Sequence, residues 1–196
     1  MGDPGSPAAF DALRAEALSC TLCPLSAGRT QVVFGVGDPG ADLMFVGEGP
    51  GREEDLVGQP FVGRSGKLLD RLIQEELGFD RRSCYIANVV KCRPPQNRDP
   101  RPEEIEACRP YLTRQVELVD PVVVVTLGNF ATRLLLGTSD GIRRVRGRAY
   151  PFRDGHLVPT YHPAAALRSG GQVVAEMRAD LVRAKRLLPA RPGASR

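Results

Sequence analysis

Apolar positions along this chain follow two rhythms. In runs such as Leu43 to Val46 and Val122 to Thr126 they are nearly consecutive, as in strands buried on both faces. Between these runs they recur every three to four residues, as on one side of a helix. The pattern predicts strands over Gln31 to Val36, Leu43 to Val46, Cys84 to Val90 and Val122 to Thr126, then short ones near Arg148 to Phe152 and His156 to Thr160. Helices are predicted over Gly66 to Leu77, from Pro102 with Glu103 and Glu104 in its first turn, over Asn129 to Leu136, and over Gln172 to Leu188. Strands separated by helices imply right-handed crossovers and a mostly parallel sheet covered on both faces. The expected fold class is α/β, a three-layer α/β/α sandwich. It forms a single domain over residues 10–188, with loose tails at 1–9 and 189–196 that are rich in Gly, Pro, Ala and Ser.

Composition agrees with that outline and narrows the partners. A length of 196 residues suits one domain, and 42% hydrophobic with 26% charged residues excludes wholesale disorder. No apolar run is long enough to cross a bilayer, and the N-terminal residues lack a basic segment followed by an apolar one. A cytoplasmic monomer without a membrane partner is the expectation. The 27 Lys and Arg against 23 Asp and Glu leave a net charge of +4, with arginines clustered at 143, 144, 146 and 148 and at 178, 183 and 186. Such clusters suit a phosphate-bearing partner or form a solvated basic face.

Five cysteines stand at positions 20, 23, 84, 92 and 108. Cys20 and Cys23 form a close pair, while Cys92 and Cys108 stand far apart around a Pro- and Arg-rich loop. In a reducing compartment, four thiols so grouped read as metal ligands, for zinc or for an iron–sulfur cluster. A single close pair favours the cluster. Cys84 lies in the apolar run Cys84-Tyr85-Ile86, where a small buried hydrophobe is the simpler role.

Ligands of open α/β sheets bind beyond the C-terminal ends of the strands, and unusual residues gather there. Gly47-Glu48-Gly49-Pro50-Gly51 follows one strand, Asn88 ends another, and Tyr161-His162-Pro163 follows a third. The glycine loop lacks the third glycine of a dinucleotide fingerprint and is not a Walker A loop. Asn88 among apolar neighbours needs partners for its carboxamide.

Four segments in order carry a more specific signal: Gly47 to Gly51, Gly58-Gln59-Pro60-Phe61-Val62-Gly63-Arg64-Ser65-Gly66, Asn88-Val89-Val90-Lys91-Cys92-Arg93-Pro94-Pro95, and His162-Pro163-Ala164-Ala165. Together they resemble the family 4 uracil-DNA glycosylases, the iron–sulfur members of the uracil-DNA glycosylase superfamily. The resemblance runs from about Cys20 to Leu188. It implies a [4Fe–4S] cluster on Cys20, Cys23, Cys92 and Cys108, leaving Cys84 outside it. It further implies a monofunctional glycosylase that flips uracil out of single- or double-stranded DNA and hydrolyses the N-glycosidic bond, releasing free uracil and leaving an abasic site.

Within that resemblance, Phe61 stacks on the flipped base and Asn88 reads uracil O4 and N3–H. His162 steadies the negative charge developing on uracil O2. Better-known relatives outside this family place a water-positioning aspartate where Gly49 stands, so Glu48 is assigned to the water or to the sugar cation, and Gly49 to the uracil pocket. Gly51 takes the place of their thymine-excluding tyrosine. Glu54 is expected to fill that space, with Glu53 as its competitor. DNA contacts are expected from a loop over His162 to Arg168, in which Ala164 meets the strand and Leu167 forms a wedge. Arg168 and the arginines from Arg143 to Arg148 would hold phosphates. Other readings are a relative with a broader range of deaminated bases, or a non-catalytic iron–sulfur DNA-binding protein. A covalent trap is disfavoured because Val145-Arg146-Gly147-Arg148 lacks a histidine.

Overall fold

The computed structural model describes residues 7–190; the first six and last six residues lie outside it. The two tails expected from the sequence fall largely on those residues, but helix α1 (Pro7–Leu18) already begins inside the first of them. Its Phe10 packs edge-on against Phe34 and Tyr85, with ring centroids 5.6 and 5.4 Å apart, which anchors the segment to the core.

Six strands form one sheet in the order β1-β3-β2-β4-β6-β5. The central four, β2 (Leu43–Gly47), β3 (Tyr85–Asn88), β4 (Val123–Leu127) and β6 (Gly155–Thr160), run parallel. The edges, β1 (Val36–Gly37) and β5 (Tyr150–Phe152), pair antiparallel. The mostly parallel three-layer sandwich is thus the observed architecture. Successive side chains of β2 alternate between two cores. Met44 and Val46 pack with Leu13 of α1 and Tyr111, Leu112 and Val116 of α4 (Pro102–Val119). Leu43 and Phe45 pack with Leu68, Leu69 and Leu72 of α3 (Arg64–Leu72), Ala166 of α7 (Pro163–Ser169), and Met177 and Leu181 of α8 (Gly171–Leu187). Coverage on both faces explains why the central strands are apolar without interruption.

Several expected boundaries are corrected. The strand predicted over Gln31 to Val36 survives only as β1. Val32, Val33 and Phe34 are buried, yet Val33 N–H donates to the Lys91 carbonyl at 2.8 Å outside the ladder, so the apolar run records burial rather than sheet pairing. The helix expected from Gly66 starts at Arg64 and ends in a π-helical turn, Ile73–Leu77. A short helix, α2 (Arg52–Val57), follows the glycine loop, and α5 (Asn129–Leu136) and α6 (Ile142–Val145) complete the set. The stretch from His162 to Arg168, expected as a loop, is helix α7, because Pro163 occupies its first turn and His162 caps it.

Candidate active site

The four parallel strands end on one edge of the sheet, and the residues that follow them enclose a cleft of about 580 Å³. Gly47 and Asn88 are paired in register at the ends of β2 and β3. Gly128 follows β4, and Tyr161 and His162 follow β6. The sequence-predicted residues Glu48, Gly49, Glu54, Phe61, Asn88, His162, Ala164 and Arg168 all line this cleft. Leu167 does not; it lies 45% exposed on the outer side of α7. Glu53 is also exposed and outside the lining, so of the two carboxylates considered for the pocket wall only Glu54 reaches it.

At the base of the cleft, Asn88 is 1% exposed and its Oδ1 has no hydrogen-bond partner. Leaving a buried carbonyl oxygen unpaired costs about 1–3 kcal/mol, so the atom is set up to accept from something that enters. A Cβ on Gly47 would stand 2.5 Å from both Asn88 Oδ1 and Phe61 Cζ. Only glycine lets the carboxamide and the ring share this corner. The Phe61 ring centroid lies 5.6 Å from that of His162, with planes tilted by 34°. Carboxamide, aromatic ring and imidazole therefore wall one compartment.

Glu54 is buried and holds that wall together. Its Oε2 accepts from Gly51 N–H at 3.1 Å, and its Oε1 accepts from Val62 N–H and Gly63 N–H, each at 3.0 Å. One carboxylate thus ties the glycine loop to the phenylalanine loop. Glu48 is less deeply placed, and burial, followed by the charge of Asp99 across the cleft mouth, pushes its pKa up to about 7. His162 is held down at about 4, first by burial and then by Arg168, with Glu54 opposing. It is a neutral imidazole at ordinary pH. Its Nδ1 accepts Ala164 N–H at 3.2 Å, which leaves the proton on Nε2.

The four expected ligand cysteines also meet. Cys20, Cys23, Cys92 and Cys108 line one small pocket between α1, α4 and the loop after β3, and none of the five cysteines is in a disulfide. Cys84 is fully buried in the opposite core, far from this group in the fold. Arg29 Nη1 donates to Cys92 Sγ at 3.4 Å and to the Cys20 carbonyl at 2.6 Å, and Lys91 N–H donates to Cys108 Sγ at 3.3 Å. Burial pushes the Cys108 thiol up to about 11 and raises that of Cys92 as well. A bound metal's charge would offset the cost of ionising such thiols, and the nearby Arg29 and Lys91 add positive potential. Among the described residues no three His, Cys, Asp or Glu side chains converge tightly enough for a single ion. The four thiols line one pocket, a donor set suited to thiolate ligation of zinc or of an iron–sulfur cluster.

Sequence reasoning missed the groups that support these residues. Lys91 is buried, and its Nζ donates to the Asn88 carbonyl at 2.6 Å and to Gln115 Oε1 at 2.5 Å. Gln115 in turn donates to the Phe34 carbonyl at 2.8 Å and to Tyr85 Oη at 2.9 Å. A lysine directly after two buried valines was the available signal. Arg98 and Asp99 at the cleft mouth were also missed. Arg98 is fixed by a two-pronged bond to the buried Glu104, at 2.8 and 2.6 Å.

One set of expected contacts is corrected. Arg146 was grouped with phosphate-binding arginines, but its Nε and Nη2 donate to the fully buried Asp180 at 2.9 and 3.0 Å, and Thr160 Oγ1 donates to the same carboxylate at 2.8 Å. Arg146 also lies 5.4 Å from the Tyr161 ring centroid. It braces the end of β6 from behind. Arg178 is likewise engaged, with Glu75 and Glu76.

Known proteins resemble this chain over most of its length. Residues 34–184 match the family model described as the uracil DNA glycosylase superfamily. The chain is 46% identical to a type-4 uracil-DNA glycosylase of Sulfurisphaera tokodaii over 81% of its own length and 76% of the relative's. It is 47% identical to the protein of that name from Saccharolobus solfataricus, over 81% and 77%. For the Thermotoga maritima counterpart the identity is 48%, over 76% and 79%.

Proposed function

Because the chain belongs to the uracil-DNA glycosylase superfamily and, within it, to the type-4 enzymes, we propose that its cleft excises uracil from DNA, giving free uracil and an abasic site for base excision repair. The observation that carries this reading is the buried, unpartnered Oδ1 of Asn88 beside the Phe61 ring. Uracil N3–H would donate to that oxygen, while the amide NH₂ donates to uracil O4. Cytosine presents an acceptor at N3 and a donor at its exocyclic amine, so both Asn88 groups would face like partners. Buried mismatches of this kind discriminate by about 10⁴-fold.

The everted base enters at the cost of unstacking, about a few kcal/mol, and Phe61 would offer a flat surface in return. As the N-glycosidic bond lengthens, electrons flow to the base and positive charge grows on the sugar. A neutral His162, protonated on Nε2, would donate to uracil O2 while its Nδ1 keeps the bond to Ala164 N–H, an interaction worth about 3 to 4 kcal/mol by analogy with oxyanion-hole donors. Glu48, titrating near neutrality, would orient the attacking water or balance the sugar cation. Gly49 would offer its backbone to the base edge, and having no Cβ lets the loop lie against Val90, whose Cγ2 a Cβ there would meet at 2.7 Å. The wall braced by Glu54 would exclude the C5 methyl of thymine. Ala164 and Arg168 would meet the DNA strand, with Leu167 exposed on the same helix to occupy the vacated stack.

Cys20, Cys23, Cys92 and Cys108 would hold a [4Fe–4S] cluster, which when bound ties the N-terminal segment to the loop from Arg93 to Arg101 at the cleft mouth. The deciding experiment is release of labelled uracil from an oligonucleotide by the purified chain, with strand cleavage followed separately. Uracil release with an intact alkali-labile strand is the expected result, and no release would end this reading. Iron in elemental analysis together with a brown protein is expected for the cysteine site, and zinc without colour would contradict it.

A further inference from the structure

Phe61 adopts a left-handed backbone conformation, φ 53°, although it is neither glycine nor asparagine. Such a conformation persists only where the surroundings impose it. The surroundings here are specific. The carbonyls of Pro60 and Phe61 both accept from one guanidinium, that of Arg81, at 2.8 Å from Nη2 and 2.9 Å from Nη1. Arg81 also pairs with Asp70 of α3 at 3.1 Å. Two glycines complete the arrangement. A Cβ on Gly66 would lie 1.8 Å from the Phe61 carbonyl oxygen, and one on Gly47 would lie 2.5 Å from the ring. Arg81 itself is absent from the cleft lining and reaches the turn from the opposite side.

We propose that Arg81 is a positioning residue for base excision: its guanidinium fork locks the Pro60-Phe61 turn so that the ring stands against His162 and beside Asn88. This rests on the reading of Phe61 as the surface on which the base stacks. A planar fork meets two successive carbonyls at once, and a lysine ammonium lacks that geometry. Asp70 in turn directs the fork from α3, so one guanidinium links the phenylalanine loop, that helix and the entrance to β3.

The test is a cycle of Arg81→Ala, Phe61→Ala and the double variant, measured by single-turnover uracil release. Arg81→Ala is expected to slow the step by about 10- to 100-fold, as misplaced binding groups do, with little change in DNA affinity. In the Phe61→Ala background the same replacement should cost nothing further. Guanidinium ion should restore part of the rate to Arg81→Ala, whereas ammonium at equal ionic strength should not. Additive losses, or equal rescue by both ions, would overturn the proposal. Should Arg81→Ala fail to fold, Arg81→Lys keeps the Asp70 ion pair and serves in the same cycle. A crystal structure of either variant gives an answer independent of activity: Phe61 is expected to leave positive φ, and an unchanged turn would sink the assignment. A wild-type chain that releases no uracil would instead refute the reading of the cleft, with the torsion still deciding the role of Arg81.

Discussion

The Nδ1 of His162 accepts the backbone N–H of Ala164 at 3.2 Å, and this bond makes one ring serve both as the cap of α7 and as a donor on its other nitrogen. Burial then keeps the ring neutral down to about pH 4. The two effects cooperate, because a protonated ring would have no acceptor left to offer the helix.

The acid limb of the rate profile should therefore belong to Glu48 rather than to His162. Uracil release is expected to rise with pH through about 7, the value to which burial and Asp99 push the Glu48 carboxyl. Glu48→Gln should give a slower enzyme whose rate no longer changes there, and Asp99→Asn should move the limb to lower pH. A limb that survives in Glu48→Gln would reassign it.

Stability should respond with opposite signs at the same two residues. For His162 the folded pKa lies below the ordinary 6.5, so the unfolded chain binds a proton that the folded one refuses; its contribution is present above 6.5 and lost as pH falls toward 4. For Glu48 the folded pKa lies above 4.5, so its contribution is present below that value and lost as pH rises through 7. Above about pH 8, Glu48→Gln should be more stable than wild type by on the order of 1 to 3 kcal/mol in urea unfolding.

Asn88→Ala should separate recognition from folding. Removing a carboxamide whose oxygen has no partner forfeits little native bonding, so the unfolding midpoint should stay within about 1 kcal/mol of wild type. Uracil release should fall by at least about 100-fold. A variant that loses stability in proportion to rate would mean that Asn88 is a packing residue.

Gly47→Ala offers a steric counterpart. The added methyl would stand 2.5 Å from Asn88 Oδ1 and from the Phe61 ring, so either the ring or the carboxamide must move. The variant is expected to fold with a loss of about 1–3 kcal/mol and to lose uracil inhibition along with excision. Normal inhibition by free uracil would show that the compartment lies elsewhere.

Arg168 and Arg146 should part company in salt titrations. Arg168 is exposed at the cleft mouth, and Arg168→Ala should lower the slope of log affinity for DNA against log salt by about 1. Arg146 is bound to a buried carboxylate, so Arg146→Ala should leave the slope alone and destabilise the fold by about 3–5 kcal/mol.

How much of this was legible in the sequence depended on whether a residue's signal was local. The parallel strands were, because Leu43 to Val46 and Val122 to Thr126 must be apolar on both faces. Asn88 and His162 stood out as polar residues at strand ends, and the thiol grouping at Cys20, Cys23, Cys92 and Cys108 was visible as spacing. Helix α1 was hidden because its hold on the core depends on Phe10 meeting Phe34 and Tyr85, distant in the chain. The burial of Arg146 was hidden for the same reason, since nothing near it in sequence announces Asp180. Glu54 was named for a steric role, but its three backbone partners lie on two different loops and only the folded chain brings them to one carboxylate.

The carboxylate of Asp180 gives the final helix an unexpected authority over the chemistry. By gripping Thr160 and Arg146 it fastens α8 two residues upstream of His162. Without α8 the ring of His162 would keep its bond to Ala164 N–H, but the strand end that carries it would lose its brace. The chemistry at the end of β6 thus depends on a helix that contributes nothing to the cleft lining, and a stop codon placed before α8 should abolish uracil release.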